Sequence, residues 1–181
     1  MGALQATSLL IRNNCDIMLH INVDVPKNVP AYDRIRAFED TCREHNIPYE
    51  LHLDVTGDSY QDIYAQMRSI FSNIDARYPD KKKGVFLSND TYANMFLNLI
   101  FQKYGCLPDT YELIGFDNSP IAGEAILPIT TIGQRIDVIA HTAMELLVQQ
   151  MEERKKRKPR PLTAPIHKQI TPVLVRRDTT G

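Results

Sequence analysis

Short apolar runs alternate along the chain with longer segments in which apolar residues recur every three or four positions, a pattern of strands alternating with helices. Residues 16–23 (DIMLHINV) make the first strand candidate. After a loop with Pro26 and Pro30, a helix is predicted over 31–45, with Ile35, Phe38 and Cys42 sharing one face. Residues 49–55 alternate, turning Leu51, Leu53 and Val55 inward, and stop at Thr56-Gly57. Asp58 or Ser59 can cap a helix reaching about residue 74, whose Ile63, Met67, Ile70, Phe71 and Ile74 form a stripe. Residues 84–88 (GVFLS) are a continuously apolar strand, and the helix expected over 90–104 stops at Gly105, a C-cap residue. A fourth strand is expected at 111–116, an extended stretch at 129–132, and a long helix over 134–157 with Ile136, Ile139, Ala140, Ala143 and Leu147 on one side. A last strand is expected at 170–175, while 117–128 shows few periodic features.

Strands joined by helices of this length imply right-handed crossovers and an α/β fold, a parallel sheet with helices on both faces. In such a sheet ligands sit beyond the carboxyl ends of the strands. The first strand ends in Asn22 and Asp24, the second in Asp54 and Thr56, the third in Asn89-Asp90 and the fourth in Asp117-Asn118. Carboxylates and amides beside Phe116 and Tyr92 suit a polyhydroxylated molecule: paired donors and acceptors for adjacent hydroxyls, with an apolar plate for a ring face. The same residue types also cap helices and form turns, and Asp90, opening a helix, reads equally well as a cap. Arg34, in the first turn of its helix, can reach the sheet edge and offer a bidentate fork, or pair with Asp33 or Glu39 on the surface. Arg36 is rotated from it by about 200° and points outward.

Composition narrows the chemistry further. The 181 residues carry 21 basic and 22 acidic side chains, a net charge of -1 that lacks the basic footprint of a domain binding nucleic acid by itself. No run approaches the roughly 18 apolar residues of a membrane span, and residues 1–14 lack a secretory layout, so the chain reads as soluble and cytoplasmic. Cys15, Cys42 and Cys106 are odd in number and widely spaced, which suggests buried thiols rather than disulfides or a metal site. The five histidines show no metal-ligand spacing, and glycine-rich phosphate loops and a nucleophile elbow are missing. No catalytic residue, metal or cofactor is assigned; Asp90 with Asp117 as an acid and base pair is the weaker possibility. Lys81 to Lys83 and residues 154–160 (RKKRKPR) are the two charge blocks, and the second reads as a solvated helix end.

Three stretches carry a family likeness: Pro108-Asp109-x-x-Glu112-Leu113-Ile114-Gly115-Phe116-Asp117, Pro128-Ile129-Thr130-Thr131-Ile132-Gly133-Gln134 and Leu174-Val175-x-Arg177. They resemble the C-terminal half of the effector-binding domain of LacI/GalR transcriptional repressors. Ser88-Asn89-Asp90, Arg34-x-x-Ala37-Phe38 and the segment from Ala6-Thr7 to Cys15 extend the resemblance over nearly the whole chain. Ala37 and Asn14 stand where the family usually has Gly, and Asn118 where a second Asp is common. The resemblance implies a type I periplasmic-binding-protein-like architecture of two α/β lobes with effector between them. It implies a partition in which 1–15 end the first lobe, 16–127 build the second, 128–160 return to the first and 161–181 recross to the second. It implies Arg34, Asn89 and Asp117 as effector contacts, with Asn22 and Phe116 beside them and Gln134 and Ile136 lining the cleft from the other lobe. The implied role is sugar binding and homodimerisation in a repressor whose ligand-driven lobe movement regulates DNA binding, with DNA reached only through a headpiece outside this chain and no membrane partner. Met95, Phe96 and Leu99 mark the helix where extra exposed apolar surface for dimerisation is to be sought, the alternative being core packing against the sheet, favoured for Phe96. A transport-type solute-binding protein, or less favourably a carbohydrate hydrolase, is the alternative.

Overall fold

The computed structural model describes residues 1–23, 25–29, 31–57, 59–156 and 165–181. Six helices and six strands follow in the order α1 (Gly2–Arg12), β1 (Ile17–Ile21), α2 (Tyr32–Glu44), β2 (Tyr49–His52), α3 (Tyr60–Arg77), β3 (Lys83–Leu87), α4 (Asp90–Tyr104), β4 (Tyr111–Asp117), α5 (Pro120–Glu124), β5 (Thr130–Gly133), α6 (Ile136–Lys155) and β6 (Val173–Val175). The strands form one sheet in the order β2-β1-β3-β4-β5-β6. The pairs from β2 through β5 are parallel, and β6 closes the edge antiparallel to β5.

The apolar runs become the central strands because both faces of the sheet are covered, so β1 and β3 are buried at every residue. On one face Leu19, Ile21, Val85 and Leu87 pack against Met67, Phe71 and Ile74 of α3 and Phe96 and Ile100 of α4. On the other, Met18, Phe86, Ile114 and Phe116 meet Ala6 and Leu10 of α1 and Phe38 and Cys42 of α2. Ser59 caps α3, its Oγ accepting the Asp62 N–H at 3.2 Å, and Gly105 ends α4 with φ +73°. The alternative cap, Asp58, lies outside the described residues, as do Asp24 and residues 157–160 of the second charge block.

Several expectations change. Helix α1 packs against α2 and this sheet, and β5 pairs with β4 from Ile114↔Thr130 to Asp117↔Gly133. Met95, Phe96 and Leu99 are core residues, not surplus surface. Residues 120–124 form a helix too short to show a period, opened by Pro120 at its first turn. Lys83 is buried; its ammonium donates to the carbonyls of Tyr78 and Lys81 at 2.6 and 2.7 Å and lies 4.5 Å from the Tyr111 ring centroid. Burial holds the Cys15 and Cys42 thiols up at about 12, whereas Cys106 is exposed, contrary to the reading of three buried thiols. Helix α6 has no buried residue.

Candidate functional site

The chain builds β1 and β2 to one side, then β3, β4 and β5 to the other, so the reversal falls between β1 and β3. At such a switch point the loops beyond the strand ends diverge and leave a crevice. Asn22 follows β1 and is buried, its Oδ1 accepting the Val23 N–H at 2.8 Å. Asn89 follows β3 and caps α4, its Oδ1 accepting the Tyr92 N–H at 2.8 Å. The carboxamide Nδ2 of each makes no hydrogen bond with another described residue.

Arg34 comes from the first turn of α2 and joins the two sides. Its Nη1 donates to the Ser88 carbonyl at 3.1 Å, and its guanidinium lies over the Phe116 ring, with Cζ 3.9 Å from the centroid. Among the described residues Arg34 forms no ion pair with Asp33 or Glu39, and Glu39 instead pairs with Arg43 at 2.9 Å. Burial makes the Arg34 proton easier to lose and the Asp117 carboxylate opposes that; an arginine so placed remains charged. Asp117 in turn accepts from the Gln134 side-chain amide, which links the end of β4 to the residue after β5. Arg34, Phe116, Asp117 and Gln134 thus form one continuous group, with Asn89 next to Ser88. One cation and one anion cancel, and the remaining groups are amides and a ring face, an arrangement matched to a neutral polyhydroxylated molecule rather than an anion.

Asp54 is exposed at the far edge, Tyr92 belongs to the core beneath α4, and Ile136 is 61% exposed at the start of α6, away from the group around Arg34 and Asp117. Asp90 is neither the cap nor a free carboxylate. It is 1% exposed, its Oδ1 accepts the Thr131 hydroxyl at 2.6 Å and its Oδ2 accepts the Ser119 N–H at 2.7 Å and hydroxyl at 3.0 Å. Desolvation raises its pKa against these hydrogen bonds. A carboxylate so occupied is poorly placed for acid-base work. Among the described residues no group of three or more His, Cys, Asp or Glu could hold a metal ion.

Residues that sequence reasoning did not single out complete the site. Asp117 has φ +103° and Asn118 φ +54°, consecutive left-handed residues that cost on the order of 1–3 kcal/mol each. Ser119, Thr131 and Arg177 hold them. The signal available was the Asp-Asn pair, the two non-glycine types that best tolerate this conformation.

The periplasmic binding protein-like domain family matches residues 9–180. A ribose operon repressor of Halalkalibacterium halodurans is 26% identical over 182 residues, covering 99% of this chain and 50% of that protein. The chain therefore spans about half the length of that relative. Among solved structures, a ribose operon repressor of Lactobacillus acidophilus superposes with TM-score 0.75 at 21% identity, over 99% of this chain and 61% of that one. A LacI family regulator of Enterococcus faecium with bound ribose gives TM-score 0.74 at 20% identity, over 99% and 62%. With a match that runs from within α1 to beyond β6 and a crevice at the switch point of the same sheet, the chain belongs to the periplasmic binding protein-like domain family, the fold of the LacI/GalR effector-binding domains that its motifs resemble.

Proposed function

We propose that this chain is an effector-binding part of a LacI/GalR-type transcriptional repressor, and that the effector is a sugar held by Arg34, Asn89, Asp117 and Asn22 over Phe116. The single observation that carries the reading is the group at the carboxyl edge of the sheet, the Arg34 guanidinium over the Phe116 ring, in the field of an Asp117 carboxylate that Gln134 holds. The repressor relatives and the ribose-bound regulator support it. Ligand would shift the relative position of two lobes and so change DNA affinity. In this reading α6 packs on the first lobe, with Gln134 and Ile136 facing the cleft from that side. Its apolar face, which includes Ile139, Met144, Leu147 and Met151, supports this because no described element covers it. DNA would be reached through a headpiece outside this chain, in the cytoplasm; among the described residues no helix is long and apolar enough to cross a membrane.

A homodimer is part of the same proposal. A groove of about 550 Å³ between α3 and α4, lined by Tyr60, Tyr64, Asn98, Phe101, Gln102 and Ile126, offers a stacked Tyr60–Tyr64 pair to a second copy. Its apolar and aromatic character fits an interface better than water. The hydrolase alternative is disfavoured by the occupied Asp90 carboxylate, and the transport-type binding protein shares the site but not the repressor relatives.

Calorimetry of the intact protein against D-ribose, D-glucose and sucrose tests the site. Binding of one sugar that falls by tenfold or more in both Arg34→Ala and Asp117→Ala is expected. Binding that survives both changes overturns the assignment, and turnover of any sugar overturns the non-enzymatic reading.

A further inference from the structure

The turn that presents Asp117 is held open from three directions. Asp117 and Asn118 both adopt positive φ, at +103° and +54°, although neither is glycine. Left alone, such a pair would relax to the right-handed side and swing the Asp117 carboxylate away from Arg34. From α4, Asp90 accepts both the N–H and the hydroxyl of Ser119, the next residue, at 2.7 and 3.0 Å. From β5, the Thr131 hydroxyl accepts the Asn118 N–H at 3.3 Å and itself donates to Asp90 at 2.6 Å. From the chain beyond β6, Arg177 donates through Nη2 to the Asn118 Oδ1 at 2.7 Å and through Nη1 to the Ile129 carbonyl at 2.9 Å, while its own N–H reaches the Thr130 hydroxyl at 2.9 Å. Gly115 makes the arrangement possible, since a Cβ there would stand 2.3 Å from the Asp90 Oδ1.

We propose that Asp90 and Arg177 are positioning residues for Asp117: clamping the left-handed Asp117-Asn118 turn from α4 and from the end of β6, they fix the carboxylate against Arg34 and Gln134. The inference rests on reading Asp117 as an effector contact and deepens it. It also assigns a consequence to topology. Thr131 and Gln134 lie on the path into α6, and Arg177 lies on the path back from it. A ligand that tightens or loosens the Asp117 turn therefore acts on both strands that flank α6, the element proposed to meet the first lobe.

The test measures the turn and the sugar separately in the intact protein. In Asp90→Ala, Arg177→Gln and Asn118→Gly, amide hydrogen exchange at Asn118 and Ser119 should speed up by tenfold or more, and the Gln134 side-chain amide resonance should move. Affinity for D-ribose, or for whichever of D-glucose and sucrose binds, should fall by about tenfold in each variant. Asn118→Gly separates positioning from stability: glycine accepts φ +54° without strain, so affinity should fall while thermal stability does not. Asp90→Asn, which keeps an acceptor for Ser119, should recover part of the loss, and Ile100→Val serves as a core control that lowers stability without lowering affinity. Unchanged exchange and an unmoved Gln134 signal in Arg177→Gln and Asn118→Gly overturn the inference even if Asp90→Ala fails to fold. Affinity that tracks thermal stability across all variants, Ile100→Val included, overturns it too. A panel in which no sugar binds the unaltered protein overturns the effector reading alone, and the exchange and Gln134 measurements still decide the positioning one.

Discussion

His20 sits in an environment far from the one an imidazole ordinarily has. It is fully buried in β1, stacked 5.2 Å from Phe38 and 4.8 Å from Phe86, with Nδ1 2.9 Å from the Phe86 carbonyl and Nε2 without a partner. Burial lowers its pKa from 6.5 to about 4, the Phe86 carbonyl opposing and Arg34 adding to the shift. The native ring is therefore neutral. Below pH 6.5 the unfolded chain takes up a proton that the native chain refuses until about pH 4, so this contribution to stability is whole above 6.5 and is lost as pH falls towards 4. Two pH units of that window are worth about 2–3 kcal/mol. Unfolding in urea at pH 7 and 4.5 checks it: His20→Leu should lose about 2–3 kcal/mol less than the unaltered chain on acidification, and equal losses would exclude the mechanism. The sequence shows a histidine in a strand but not its stacking partners. Phe38 and Phe86 are brought to it by packing and pairing, and no local pattern encodes that. That Asn89 and Asp117 come to one edge is legible for the opposite reason: a parallel sheet sends the ends of its strands to one edge whatever the details of packing.

Among the elements, α4 shows how far local signals reach. Its start is marked by Asn89, its end by Gly105, and both caps form. What the sequence does not separate is the neighbour of the cap. Asn89 and Asp90 are both capping types, and the choice depends on Thr131, Ser119 and Gly115, all distant in the chain. Strand ends blur for a similar reason: alternation continues past His52 to Val55, but β2 has only β1 beside it and pairing stops where β1 ends. The C-cap yields a clean expectation. Gly105 sits at φ +73° with nothing within 4 Å of a modest side chain, so Gly105→Ala meets no clash and suffers only the left-handed backbone. The substitution should cost about 1 kcal/mol, while Gly105→Asn, which tolerates the conformation, should recover most of it. Thermal unfolding of both variants measures this, and a loss of equal size in the two would point to packing rather than to φ.

At the scale of the whole molecule, α6 is the element that the described sheet does not explain. Its 20 residues include none that is buried, and Ile136, Ile139, Met144, Leu147, Val148 and Met151 are each at least 41% exposed. Helical propensity alone does not hold a segment with such a face in water; an apolar stripe of this width is ordinarily covered. The sequence marks the stripe but is silent on its cover, since periodicity gives a face and no partner. Scattered exposed leucines would be unremarkable, but these recur along one side over the length of the helix. The chain expressed by itself should therefore bind a hydrophobic dye and associate with itself as concentration rises. In Leu147→Glu with Met151→Glu, dye binding should fall at least severalfold and the association should weaken, while the unfolding midpoint of the sheet stays unchanged because neither side chain is part of either core cluster. Size-exclusion chromatography and dye fluorescence decide it together. Undiminished association in the double variant would move the sticky surface to the α3–α4 groove, and a chain that is monomeric and dye-free without any substitution would remove the case for a covering lobe on α6.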